Sequence, residues 1–288
     1  MDALDRIRDL PIWHGRIIAE PLGGGITNLN FRVQDSEGIY VVRVGADIGV
    51  HQIMRFNELA ASRAAHAAGI SPRVVHAETG ILVIDWIEGK TLTAADVRAE
   101  GMLPRVVDLV ARAHRDIPNY IRGPVLSFWV FHVIRDYAGT LRYTRHELDL
   151  AGYLAACARL EEAVGRVEIV FGHNDLLPAN FIDDGKRLWL IDWDYAGFNS
   201  PLFDLGGLAA NNALSHAQEE AMLAQYFGKP ADADLWRRYR AMKAAAALRE
   251  AMWSMVQETH SDLPVDYLAY TDNALAAYRL ALTEFEQS

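Results

Sequence analysis

Two carboxylates and one amide in residues 170–194 are spaced for phosphoryl transfer. Asp175 and Asp192 each follow a short apolar run typical of a buried strand, and Asn180 lies between them in HNDLLPAN, which fits H-x-D-x-x-x-x-N. In such chemistry an aspartate orients or deprotonates the attacking hydroxyl, and an asparagine helps to hold Mg²⁺. Mg²⁺ prefers one or two carboxylates plus phosphate oxygens, which this set would supply. The alternative is three polar residues in the surface loops of a hairpin.

A glycine-rich turn near the N-terminus could hold the phosphates of a nucleotide donor. Gly23, Gly24 and Gly25 stand between two predicted strands, and Thr27 and Asn28 follow them. Glycines let backbone N–H groups approach a phosphate, and the two polar side chains add donors. No Gly-Lys-Ser/Thr sequence follows, so this is not a Walker loop. The alternative is a turn that merely reverses the chain.

Arg43 is the candidate cation for the donor phosphates. It is the only basic residue of the predicted strand 39–44, and residues 1–89 contain no lysine. Glu58, at the start of a predicted helix, could pair with Arg43 and fix its guanidinium group for phosphate contact. The alternative is an exposed arginine on the surface of a strand.

The spacing of apolar residues divides the chain into a strand-rich beginning and a helical remainder. Strands are predicted at 16–22, 28–33, 39–44, 73–76 and 81–86, and a helix at 58–68. Helical spacing is found at 103–114, 131–143 and 147–164, a strand-rich island follows at 168–194, and the chain is helical again from Ser215 to the end. We therefore predict an α+β protein with a small N-terminal lobe, 1–85, built from an antiparallel sheet and one helix. A larger, mainly helical C-terminal lobe, 86–288, would carry the catalytic loop.

Composition limits the partners and the compartment. The 288 residues carry a formal net charge of −10, and 51 % of them are apolar, enough for a substantial core. The acidic balance and the absence of Lys/Arg runs argue against nucleic acid and favour a small neutral or cationic substrate. One cysteine, Cys157, cannot form an intramolecular disulfide, and the charged N-terminus is unlike a signal peptide. No apolar run is long enough to cross a membrane, so we expect no membrane insertion and a cytoplasmic location.

Four segments carry a resemblance to a known family. The stretches GGGITNLNFRV, RVG, HNDLLPANFI and LIDWDYAGFNSPLFDLG resemble the choline/ethanolamine kinases, within the aminoglycoside-phosphotransferase-like kinases, over residues 22–278. The resemblance implies a bilobal protein-kinase-like fold and ATP- and Mg²⁺-dependent phosphorylation of a small amino alcohol. It implies Asp175 as catalytic base and Asn180 and Asp192 as Mg²⁺ ligands. The implied ATP-binding residues are Gly24, Gly25, Thr27, Asn28, Arg43, Glu58, Asp85 and Ile87.

The resemblance also points to an acceptor site in the C-terminal third. Besides Asp175, the implied substrate-binding residues are Asp194, Tyr195, Glu250, Trp253, Tyr267 and Tyr270. Aromatic faces hold a quaternary ammonium group by cation–π attraction. The family has two tryptophans one helical turn apart; Trp253 matches the second, but Glu250 replaces the first. A primary ammonium group needs hydrogen-bond acceptors more than rings, so choline and ethanolamine both stay open as acceptors.

The leading hypothesis is a kinase that phosphorylates choline or a closely related amino alcohol such as ethanolamine. One alternative is a phosphotransferase acting on another cationic small molecule, an aminoglycoside or thiamine, because a fold does not determine its substrate. The other is an inactive nucleotide-binding regulator, which loss of a catalytic acid or metal ligand would support. The sequence keeps Asp175, Asn180 and Asp192, so it favours an enzyme.

Overall fold

A five-stranded antiparallel sheet forms the N-terminal part of the computed structural model, which describes residues 2–23, 28–261, 263 and 265–287. Its strands are β1 (Ile18–Leu22), β2 (Leu29–Gln34), β3 (Ile39–Val44), β4 (Val74–Glu78) and β5 (Ile81–Asp85). They lie in the order β1-β2-β3-β5-β4, and every neighbouring pair is antiparallel. The central strand is therefore β3, which carries Arg43.

Side chains on β3 alternate between an apolar layer and a cleft. Val42 and Val44 are buried in a cluster with Ile7 of the short helix α1 (Ala3–Arg8). Because successive strand residues point to opposite faces, Val41 and Arg43 lie on the other side of the sheet, where both line the cleft. The strand thus places one cation against an otherwise apolar wall.

Helix α2 (Arg55–Ala67) follows the sheet's third strand and begins three residues before the predicted start. The backbone N–H of Arg55 donates to Asp47 Oδ1 at 2.7 Å, which satisfies a donor that the first turn leaves open. The helix ends where Gly69 adopts a φ of +70° and the Ile70 N–H donates to the Ala65 carbonyl at 2.8 Å. Glu58 lies in the first turn and is buried.

The rest of the chain is mainly helical. Its helices are α3 (Ala94–Val97), α4 (Met102–Asp116), α5 (Val130–Thr140), α6 (Leu150–Val164), α7 (Pro201–Asn211), α8 (His216–Phe227), α9 (Ala233–His260) and α10 (Tyr267–Glu286). Helix α9 packs against α5, α6, α7 and α10. Its buried alanines, such as Ala244 and Ala245, allow this close approach. In the described part of the chain, no helix is both long enough and apolar enough to cross a membrane.

Short strands within the helical part position the predicted catalytic segment. A three-stranded sheet contains β6 (Lys90–Thr91), β8 (Phe181–Asp183) and β9 (Leu188–Leu190), and a separate pair contains β7 (Val170–Gly172) and β10 (Gly197–Asn199). A tight turn joins β8 to β9, and Asp184 Oδ1 accepts hydrogen bonds from the Lys186 and Arg187 N–H groups at 2.8 Å. Asp175 follows β7 and Asp192 follows β9, so two strand ends carry the two carboxylates.

The predicted fold class is confirmed, although several elements were not predicted. Strands β6 and β10 and helices α1 and α3 are too short for apolar periodicity to identify them. Helix α7 was not predicted either, although the sequence contains a recognisable helix start at this point. Ser200 accepts a hydrogen bond from the Leu202 N–H at 3.2 Å and Pro201 occupies the first turn, a typical beginning of a helix.

We predict that Gly206→Ala destabilises the protein. A Cβ atom at Gly206 of α7 would lie 3.0 Å from Lys243 Cα and 3.1 Å from its backbone nitrogen on α9. The backbones would have to separate, at a cost of roughly 1–3 kcal/mol in the free energy of unfolding. Urea unfolding followed by circular dichroism measures this change.

The matched control is Gly152→Ala in α6. A Cβ atom there would have no neighbour within 4 Å. Alanine is the better helix former, so this variant should equal or exceed the wild type in stability by up to about 1 kcal/mol. Equal stability of Gly206→Ala and wild type would contradict the close packing of α7 on α9.

Candidate active site

Asp204, in the first turn of α7, holds the segment that contains Asp175. Its carboxylate accepts hydrogen bonds from the backbone N–H groups of His173 at 2.8 Å and Asn174 at 2.7 Å, and from His114 Nε2 at 2.8 Å. Burial by itself would raise the pKa of Asp204, but its bond to His114 and the surrounding positive charge outweigh burial and lower that pKa. No role was predicted for Asp204 from the sequence. Its position in PLFDLG, near a helix start, was the available signal.

Asn174 fixes the same segment from within. Its φ of +65° is in the left-handed region, which asparagine tolerates better than most residues. Its amide nitrogen donates to the Tyr195 carbonyl at 2.9 Å, and its oxygen accepts from Asn199 Nδ2 at 3.0 Å. Asn174 therefore connects the loop after β7 to β10 and the residues before it.

Asp175, the predicted base, is a carboxyl group with a strongly shifted pKa. Burial and, to a smaller extent, the negative charges of Glu250 and Asp192 raise its pKa to about 8, although the positive charge of Arg249 opposes this shift. A group that titrates near neutral pH can accept a proton efficiently during a reaction. Perturbed carboxyl groups in clefts are also candidates for functional sites on general grounds.

Asn180 and Asp192, the predicted metal ligands, border one cleft together with Arg43. Asn180 Nδ2 donates to the Asp175 carbonyl at 2.8 Å, and the Asn180 carbonyl accepts from the Ile191 N–H at 3.0 Å. Asp192 has a φ of +69°, so the chain turns sharply at this residue. A carboxylate and an amide that face a cleft beside a cation are oxygen ligands of the kind that Mg²⁺ uses.

One nitrogen of Arg43 contacts three carboxylates. Nη1 donates to Glu58 Oε1 at 2.6 Å, to Asp192 Oδ1 at 2.8 Å and to Asp194 Oδ1 at 2.9 Å, so the predicted pairing with Glu58 forms. Burial alone would lower the pKa of Arg43, but the three negative charges raise it well above its ordinary value. For Asp192, burial alone would raise the pKa, but the positive charge of Arg43 lowers it. Both groups therefore stay charged.

Arg55 is a second arginine in this ionic cluster and was not predicted. Its Nη1 donates to Glu58 Oε2 at 2.6 Å and to Asp194 Oδ1 at 2.9 Å. The signal in the sequence was its position three residues before Glu58, because residues three apart in a helix lie on one face. Asp194 was predicted to contact substrate, yet it lies with these arginines and also accepts from Asn28 Nδ2 at 2.9 Å.

The cleft above this cluster is a cavity of about 350 Å³ between the sheet and the segment 179–193. Asp85 and Ile87, predicted to contact adenine, line it. The Asp85 carboxylate also accepts from Arg73 Nε at 3.0 Å, so its side chain is held at the end of the strand. Gly24, Gly25 and Thr27 of the predicted phosphate turn lie outside the described residues.

A smaller cavity of about 100 Å³ lies on the other side of Asp175. Arg249 and Glu250 of α9 line it, with alanines of α9 and α10. Glu250 Oε1 accepts from the Tyr270 hydroxyl at 2.6 Å, and its Oε2 accepts from Arg249 Nη1 at 3.0 Å. The structure therefore brings Asp175 and Glu250 to one cavity, with an arginine that was not predicted.

The predicted aromatic residues cluster beside this cavity rather than around it. Trp253 is 2 % exposed, and its ring centroid lies 5.8 Å from that of Tyr270 and 6.3 Å from that of Tyr267. Tyr267 borders a different surface depression, with His146 and other residues. Tyr195 is buried next to Arg249. The smaller cavity is therefore lined by charged side chains, among them Asp175, Glu250 and Arg249, and not by a cage of aromatic rings.

Comparison with known proteins gives the family. The family model named APH, phosphotransferase enzyme family, matches residues 18–242. The match spans most of the chain, so this protein belongs to the phosphotransferase enzyme family.

Individual relatives resemble the chain over most of its length. A probable ethanolamine kinase of Arabidopsis thaliana is 26 % identical over 287 residues, which cover 87 % of this chain and 76 % of that protein. Protein LicA of Haemophilus influenzae is 25 % identical over 257 residues, 85 % of this chain and 75 % of that protein. The crystal structure of a choline/ethanolamine kinase family protein from Mesorhizobium loti matches with a TM-score of 0.77 and 27 % identity over 99 % of both chains. The predicted resemblance and the predicted enzyme class, a small-molecule kinase, are confirmed.

We predict that His51 makes stability depend on pH. Its Nδ1 lies 3.0 Å from the Tyr137 hydroxyl, its ring packs on Trp253, and burial lowers its pKa to about 4 from an ordinary value of 6.5. A histidine that is neutral in the folded state stabilises it fully above pH 6.5 and loses this contribution as the pH falls toward 4. The loss is up to about 3 kcal/mol.

Chemical unfolding at several pH values measures this dependence. His51→Gln, which keeps a hydrogen-bonding side chain, should show a shallower decrease in the free energy of unfolding between pH 6.5 and 4. The control His132→Gln replaces an exposed histidine of α5 and should follow the wild-type curve. Parallel curves for His51→Gln and wild type would contradict the prediction.

Proposed function

We propose that this protein is an ATP- and Mg²⁺-dependent kinase that phosphorylates the hydroxyl group of an amino alcohol, with choline and ethanolamine as its simplest acceptors. The observation that carries the proposal is that Arg43, Asn180 and Asp192 line the larger cavity, while Asp175, whose backbone carbonyl accepts from Asn180, lines the smaller one. Relatives named as choline or ethanolamine kinases support the acceptor class. In this proposal the larger cavity takes the nucleotide and the smaller one the acceptor.

The N-terminal lobe, residues 1–85, would bind the nucleotide. Arg43, oriented by Glu58, would contact the donor phosphates, as the lysine–glutamate pair does in protein kinases. Asp85 and Ile87 would border the adenine, mostly through backbone groups. The turn that contains Gly24, Gly25, Thr27 and Asn28 would supply backbone and side-chain donors to the phosphates.

Asn180 and Asp192 would hold the metal in the C-terminal lobe, residues 86–288. Their oxygen atoms suit Mg²⁺, and Asp192 stays ionised because Arg43 lowers its pKa. A metal ion held by these residues would supply positive charge that offsets the negative charge of the donor phosphates. Asp204 and Asn174 would keep Asp175 in place through the hydrogen bonds to the loop backbone.

Asp175 would act on the acceptor. Its carboxylate would accept a hydrogen bond from the acceptor hydroxyl and then its proton, as the oxygen attacks the terminal phosphorus of ATP. Glu250, which faces the same cavity, would attract the ammonium group. Tyr270 would hold Glu250 in place through its hydroxyl group, with Trp253 packed against the Tyr270 ring.

The test is ADP release by purified protein incubated with MgATP and a panel of amines that includes choline and ethanolamine. Asp175→Asn should reduce turnover by at least about 10³-fold, because it removes the proton acceptor while keeping the side-chain shape. ATP binding, followed by thermal shift, should be retained. Asp234→Asn, which changes a carboxylate that is 79 % exposed, should behave as wild type.

Three results would contradict parts of the proposal. Absence of transfer to every amino alcohol would exclude the acceptor class, and transfer to aminoglycosides or thiamine would then identify the alternative. Binding of ATP without transfer to any acceptor would instead favour a nucleotide-binding regulator. Full activity of Asp175→Asn would show that another group accepts the proton.

A further inference from the structure

Arg249 is a buried cation in the proposed acceptor site whose hydrogen-bonding capacity is only partly used. Its residue is 4 % exposed, and Nη1 donates to Glu250 Oε2 at 3.0 Å. Its Nε and Nη2 atoms are buried and have no hydrogen-bond partner among the described residues. Buried donors without partners lose hydration with no compensation, so this arrangement calls for an explanation.

The surroundings of Arg249 orient its guanidinium group, and the Tyr137 hydroxyl is near enough to interact with it, but Nε and Nη2 make no hydrogen bond to the described residues. The group lies 4.4 Å from the ring centroid of Tyr195 and 5.5 Å from that of Phe128. The Tyr195 hydroxyl is also buried without a hydrogen-bond partner in the described part of the chain. Stacking on aromatic rings fixes the plane of an arginine and leaves its edge for a ligand.

Arg249 and Glu250 line the same small cavity as Asp175. The cavity therefore offers a carboxylate for the hydroxyl, a second carboxylate for an ammonium group, and a guanidinium group. Choline and ethanolamine have no group that would use the guanidinium, and their positive charge is repelled by it. Nε and Nη2 lie on one edge of the guanidinium fork, which matches the two oxygens of a carboxylate.

We propose that the preferred acceptor carries a carboxylate in addition to its ammonium and hydroxyl groups, so that it is a small hydroxy amino acid. Arg249 binds the carboxylate through Nε and Nη2, Glu250 binds the ammonium group, and Asp175 takes the hydroxyl proton. This inference rests on the proposed kinase function and defines its substrate class more narrowly.

The reaction forms and breaks the same bonds as it would with a simple amino alcohol. The acceptor oxygen forms a bond to the terminal phosphorus of ATP, and the bond from that phosphorus to the bridging oxygen of ADP breaks. The hydroxyl proton passes to Asp175 and then to solvent. The products are ADP and an O-phosphorylated amino acid.

The first experiment compares acceptors that differ by a single group. Serine is ethanolamine with one added carboxylate, so kcat/KM for MgATP-dependent ADP release with each isolates the contribution of that group; homoserine and choline extend the comparison. For wild-type protein we expect serine or homoserine to exceed ethanolamine and choline by roughly tenfold or more. This comparison needs no variant and is independent of folding effects.

The second experiment changes Arg249. Arg249→Met keeps an unbranched side chain but removes the charge, and should bring the carboxylate-bearing and simple acceptors to within about threefold of each other. Arg249→Lys should restore part of the preference, because it returns the charge without the fork. The control Arg115→Met, an exposed arginine of α4, should keep the wild-type preference.

The outcomes separate this inference from the function on which it rests. If ethanolamine or choline is phosphorylated as efficiently as the hydroxy amino acids, the inference is wrong, but the proposed function as an amino alcohol kinase stands. If Arg249→Met lowers kcat/KM equally for both classes, Arg249 has a structural role and the inference is also wrong. If no acceptor of either class is phosphorylated, the proposed function itself fails.

Discussion

The ionic contacts of Arg43 are the interaction on which the arrangement of this protein depends. One guanidinium group on the central strand meets Glu58 from α2 and both Asp192 and Asp194 from the segment after β9. Since Arg43 and its partners come from β3, α2 and the segment after β9, the contacts join the sheet to the helical part at the cleft. A buried charge without partners would be very costly, so each element needs the others to keep its charged group. Arg55 adds a second cation, which offsets part of the excess of carboxylates.

Paired charges also line the smaller cavity beside Asp175. There, Glu250 pairs with Arg249 and Tyr270, and Trp253 packs against the Tyr270 ring. Where the choline/ethanolamine kinases are expected to show a ring, this chain places a carboxylate beside an arginine. A pocket of this kind selects its ligand through charged groups that have no partner before binding. A ligand that leaves such a group unpaired binds poorly and is rejected.

Support for Asp175 comes from residues whose importance local sequence patterns do not indicate. The carboxylate of Asp204 lies 2.7–2.8 Å from two loop N–H groups and from His114, although 90 residues separate Asp204 from His114. The spacing H-x-D-x-x-x-x-N identified Asp175 and Asn180, because a loop of fixed length brings the Asn180 side chain to the backbone of Asp175. Asp204 belongs to a separate helix, so its part in the loop could be recognised only when the chain had folded.

The sequence by itself determined the fold class, the strand that carries Arg43, its pairing with Glu58, and the segment that holds Asp175, Asn180 and Asp192. These follow from local periodicity and from short-range spacing, both of which are set by neighbouring residues. Only the tertiary structure decided that Asp194 lies with Arg43 and Arg55, that Trp253 is enclosed, and that Arg249 borders the smaller cavity with two buried, unpaired donors. Those results depend on which helix faces pack together and on how far each charged group is removed from water, and no local pattern contains that information.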